Sequence, residues 1–83
     1  MGLNLQARSV EMRPWKGEAE WVVWFRKISG SFNITPFLSD DDIADAIEKM
    51  RPLHPDVDYH IRYRGGIAFT REEDAIMILL KFA

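Results

Sequence analysis

Leu3, Leu5 and Ala7 alternate with Asn4, Gln6 and Arg8, the period of a strand that buries one face. Val10 and Met12 carry on with the opposite parity, so either a bulge falls near Arg8-Ser9 or the strand changes face there. Pro14 is expected to end the pairing, with residues 13–18 as the turn. Residues 19–28 then carry two patterns. Trp21, Trp24, Phe25 and Ile28 have the spacing of a helix face, with Gly30 as a C-cap. The same run of Trp, Val, Phe and Ile suits a pleated strand. The strand reading is taken here. It sets Trp21, Val23 and Phe25 against one side and Val22, Trp24 and Ile28 against the other, and it pairs with the first strand as a hairpin.

Gly30, Ser31, Asn33 and Pro36 mark residues 29–38 as a loop. Its Phe32, Ile34, Phe37 and Leu38 are too apolar for free solvent and are expected to fold over the core, or else to form a recognition edge. Ser39 then opens an amphipathic helix. Its oxygen can accept an unpaired backbone N–H, and Asp40, Asp41 and Asp42 complement the helix dipole. Ile43, Ile47 and Met50 form the apolar stripe, flanked by Ala44 and Ala46, and Pro52 stops the helix after Arg51. Over 57–64 the alternation sets Val57, Tyr59, Ile61 and Tyr63 on one face and Asp58, His60, Arg62 and Arg64 on the other. Gly65-Gly66 reads as a turn and Ile67-Ala68-Phe69 as a short return strand.

The chain closes on Thr70 to Phe82, TREEDAIMILLKF. Thr70 with Glu73 matches a capping box, and Glu72, Glu73 and Asp74 favour the positive end of a helix. Ala75, Ile76, Leu79 and Leu80 make a stripe that Met77 and Ile78 widen, as in a helix that is buried or meets a partner. Ile76, Ile78, Leu80 and Phe82 also alternate as a strand would; the cap decides for helix. These elements predict one α+β domain over residues 1–83: a two-layer antiparallel sheet with two helices on one face, ββαββα or similar.

Composition narrows the chemistry. The chain has 83 residues, no cysteine and a formal net charge of −2. That excludes a disulfide framework and a thiolate nucleophile or metal site, and gives no bulk attraction to nucleic acid. No apolar run approaches the ~20 residues of a membrane span, and the first residues lack a signal-peptide pattern, so a cytoplasmic site is expected. His54 and His60 have no partner at metal-ligand spacing, and no serine sits in a nucleophile context. The expectation is a non-catalytic protein without metal or cofactor.

Two binding readings remain. Trp15, Trp24, Phe32, Phe37, Met77 and Ile78 are candidate contacts for another protein or a second copy, because aromatic residues anchor interfaces. The alternative is a small nucleic-acid module using His60, Arg62, Arg64 and Arg71. Single-strand binding needs aromatic and basic groups together, and strict alternation would send Tyr59 and Tyr63 to the core face, away from these basic residues.

Phe69, the run Glu72-Glu73-Asp74-Ala75 and the finish Leu80-Lys81-Phe82 resemble the ending of some small, mostly uncharacterised proteins of tailed phages. Those carry a Phe, an acidic turn, an Asp-Ala pair and an apolar-Lys-Leu type finish. This chain differs in having Ile78 where an aromatic is common, and Phe82-Ala83 where an aromatic-Gly is common. The resemblance covers only the C-terminal part and brings no catalytic residue. It implies a phage or prophage accessory protein that acts in the host cytoplasm by binding a host or phage protein.

Overall fold

The computed structural model describes residues 5–27 and 38–83. Its elements run β1 (Leu5–Trp15), β2 (Glu18–Lys27), α1 (Asp40–Met50), β3 (His60–Tyr63), β4 (Gly66–Phe69) and α2 (Glu72–Phe82). The four strands form one antiparallel sheet in the order β1-β2-β4-β3. This is the α+β class and the ββαββα order that the sequence predicts.

One sheet face carries the core. Leu5, Ala7, Val23, Phe25, Ile67 and Phe69 point into a cluster with Ile43, Ile47 and Met50 of α1 and Ala75 and Ile78 of α2. Both helices therefore cover the same face. Phe25 meets Phe82 edge-on at 5.6 Å between ring centroids, and Tyr59 meets Phe69 at 5.8 Å. Leu38 is buried in this core, as expected; Phe32, Ile34 and Phe37 lie outside the described residues.

β1 has the bulge its parity change called for. Ala7 pairs with Phe25 and Ser9 with Trp24, so Arg8 is the extra residue, and Val10 returns to the core side. Pro14, however, does not end the ladder: it pairs with Ala19, and Trp15 pairs with Glu18. β1 is an edge strand, where a missing N–H need cost no ladder bond. The turn shrinks to Lys16-Gly17, with φ of 51° and 82°, the positive pair of a type I′ hairpin. β2 settles the double pattern of residues 19–28 as a strand.

α1 follows the sequence closely. Asp42 N–H donates to Ser39 Oγ at 3.3 Å, and Ser39 N–H donates to the Asp42 carboxylate at 3.1 Å, a complete capping box. α2 departs from it. Thr70 lies outside the helix, and Arg71 is the N-cap residue without a side-chain capping bond. Arg71 instead grips the buried Asp74 carboxylate through Nε at 3.0 Å and a terminal nitrogen at 3.3 Å. The inward stripe of α2 is Ala75, Ile78, Leu79 and Phe82, while Ile76 and Leu80 face outward.

β3 is shorter than predicted and irregular. His60 pairs with Ala68 and Tyr63 with Gly66, so Ile61 and Arg62 together oppose Ile67. This bulge reverses the parity of everything after it. Tyr63 leaves the core face predicted for it, and Ile61 is exposed. The turn moves back one residue to Arg64-Gly65, with Gly65 at φ 79°.

Candidate functional site

The sheet face without helices holds a cluster of aromatic and charged side chains. From β1 it receives Glu11, Arg13 and Trp15, which register opposite Val22, Glu20 and Glu18 of β2. Trp24 shares this parity, and β4 adds Gly66 and Ala68. The bulge in β3 brings in Tyr63 beside Arg62. Two bulges, one in each edge strand, thus assemble the face.

Glu20 is its hub. The residue is only 3% exposed, although no helix covers that side. Arg62 Nε donates to its Oε2 at 3.0 Å and the Tyr63 hydroxyl donates to its Oε1 at 3.3 Å. A carboxylate buried without such partners would be costly; here both oxygens are met. The Arg62 guanidinium also lies over the Trp15 ring at 4.3 Å. Arg13 sits over Tyr63 at 5.1 Å and 6.0 Å from the centre of the Trp24 ring. Trp24 Nε1 donates to Glu11 at 3.0 Å, and its ring stands 5.8 Å from that of Tyr63. Each aromatic ring is therefore fixed by at least one charged neighbour.

Gly66 makes the arrangement possible. A Cβ there would stand 2.9 Å from Val22 Cγ1 and 3.0 Å from Trp24 Cε3. The Trp24 ring lies directly on the bare backbone of β4, a use of glycine for close approach.

The sequence candidates divide. Trp15 and Trp24 come together on this face, both half-buried. Met77 is half-buried against the core and Ile78 is fully buried by this chain, so Ile78 is a core residue rather than a surface contact. Phe32 and Phe37 lie outside the described residues. Of the basic set, Arg62 joins the face, His60 is half-buried opposite Ala68, and Arg64 occupies the β3–β4 turn. Arg71 is drawn to Asp74 and Glu73, and the hydrogen bond and charge of Asp74 raise its pKa further above the ordinary arginine value. Arg13 of β1 lies on the same open face as Arg62, over the Tyr63 ring.

Arg13, Glu20 and Tyr63 escaped the sequence reading of the site. The parity of Glu20 with Val22 and Trp24 was a usable signal; Tyr63 had none, because its side depends on the bulge. Among the described residues no group of three or more His, Asp or Glu side chains is placed to hold a metal ion, and no helix is long and apolar enough to cross a membrane. The chain matches no protein-family model, and no curated protein or solved structure proves similar to it.

Proposed function

We propose that this chain is a non-catalytic binding protein that takes another protein on the open face of its sheet. The carrying observation is the fixed cluster of Trp15, Trp24 and Tyr63 interleaved with Arg13 and Arg62. Tryptophan, tyrosine and arginine are the residues that dominate binding hot spots. Here Glu11 and Glu20 hold them in place beforehand, which lowers the ordering cost of association. The face offers both signs of charge within an aromatic surface, a composition suited to a protein partner or a second copy of the chain. The C-terminal resemblance to tailed-phage proteins supports a host or phage protein as that partner, met in the host cytoplasm. The test is a pulldown from the native host with wild type, Trp15→Ala and Arg13→Glu as baits. A partner held by wild type and lost in both folded variants is expected. A wild type that recovers nothing and has a strictly monomeric mass would overturn the reading.

One observation favours a second reading, a single-stranded nucleic-acid module. The β3 bulge sets Arg62 beside Tyr63 on a four-stranded sheet, and aromatics with cations on such a sheet are how bases are stacked and phosphates neutralised. Glu11, Glu18 and Glu20 on the same face, and the net charge of −2, weigh against it. Binding to a single-stranded oligonucleotide should then weaken steeply with salt and be lost in Arg62→Ala. No salt-dependent binding removes this reading.

A further inference from the structure

A second surface lies beside β3. This strand neighbours only β4 in the sheet, so its other edge is unpaired among the described residues. Between that edge and α1 opens a cleft of about 460 Å³, to which α1 contributes Ala44 and Glu48, its C-cap Arg51, and β3 His60, Ile61 and Arg62. Its size falls within the ~300–1,000 Å³ of ligand clefts. The bulge leaves Ile61 and Arg62 without a matched residue on β4, and the Ile61 side chain is 40% exposed at the mouth of the cleft.

Glu48 is the one carboxylate that lines the cleft, together with Arg51 and Arg62. Arg62 is neutralised by Glu20 at 3.0 Å. Arg51 has no such partner: among the described residues no carboxylate forms an ion pair with it, and its guanidinium rests on the Tyr59 ring at 5.5 Å. A cation held in place on a ring and not matched by an acid is complementary to a carboxylate brought from outside.

We infer that the cleft between α1 and β3 receives an extended acidic peptide segment of a partner protein, which pairs with the free edge of β3 and sets a carboxylate against Arg51. Main-chain bonds to the edge give such a complex its affinity, and the flanking side chains give it selectivity. The exposed Ile61 offers an apolar contact to alternate residues of the segment. This surface borders the open sheet face and shares Arg62 with it, but its edge, Ile61 and Arg51 take no part in the function proposed for that face.

The probe is a labelled octapeptide alternating valine with aspartate and glutamate, compared with its counterpart in which lysine replaces the acids. Amide resonances of the isotope-labelled full chain are followed. The acidic peptide is expected to move Ile61, Arg62, Ala44 and Arg51, and the lysine peptide is expected to move none of them. Ala44→Trp fills the cleft and Arg51→Glu reverses its charge; both positions are exposed, so the fold survives, as an unchanged melting temperature verifies. Each variant should weaken binding by about tenfold or more. Absence of shifts, equal binding of both peptides, or variants that bind like wild type overturn the inference. So do shifts confined to Trp15, Trp24 and Tyr63, which assign the peptide to the open face, and a dimer formed through Ile61 without peptide, which assigns the cleft to a second copy.

Discussion

Gly66 and Asp42 show how single atoms fix this fold. At Gly66 a methyl group would stand 2.9 Å from the fully buried Val22 and 3.0 Å from Trp24. Val22 is β-branched inside a sheet and cannot turn away freely. Gly66→Ala should therefore destabilise by about 1–3 kcal/mol, the scale of overpacking, and shift the tryptophan fluorescence as Trp24 is pushed off the strand; urea titration reads the first effect. At Asp42 the carboxyl is held below its ordinary value, first by the backbone N–H of Ser39, then by the Ser39 hydroxyl and Lys27. The folded state thus takes up the proton less readily than the unfolded one. The stabilisation is complete above the ordinary carboxylate value of 3.8 and is lost as pH falls through the lowered folded value. Wild type should accordingly exceed Asp42→Ala in stability near neutrality, with the gap closing only below about pH 4. A gap that stays constant into strong acid would contradict this.

Elements were legible in the sequence where their pattern is local. The β1 bulge shows in the parity change from Ala7 to Val10, and the α1 cap shows in Ser39 followed by acidic residues. Pro14 misled because its effect depends on whether a strand is central or at an edge, which only the sheet order decides. The β3 bulge was invisible: Tyr59 to Tyr63 alternates without a break, and the partner Tyr63 meets once the bulge has turned it over, Glu20, is distant in sequence. Thr70 and Glu73 matched a capping box, yet the buried Asp74 draws Arg71 into the cap position. The hairpin turn carries a cost that can be removed. Lys16 has φ 51°, a left-handed conformation that asparagine adopts more readily and that type I′ turns favour. Lys16→Asn should stabilise the protein by up to about 1 kcal/mol, read as a higher denaturation midpoint at unchanged slope.

At the scale of the whole molecule the two faces of the sheet differ in what closes them. One face is closed by two helices and the other by its own side chains, so a truncation should cost very different amounts on the two sides. Phe69 is fully buried between sheet and helices, and Phe69→Ala should cost about 3–5 kcal/mol, enough to unfold much of a small domain. Trp15 is half-buried at the hairpin end of the open face, where its ring meets Arg62 and Lys16. Trp15→Ala forfeits those contacts at about 0.5–1 kcal/mol each and opens no cavity in the core, so the chain should remain folded. Arg62→Ala falls between, because it strips the nearly buried Glu20 of one of its two bonds and leaves the charge to Tyr63 alone. Denaturation of the three variants in urea should rank them Phe69→Ala, Arg62→Ala, Trp15→Ala in decreasing loss. The order carries the argument: if Trp15→Ala proved as damaging as Phe69→Ala, the open face would be a second core rather than the binding surface proposed for it.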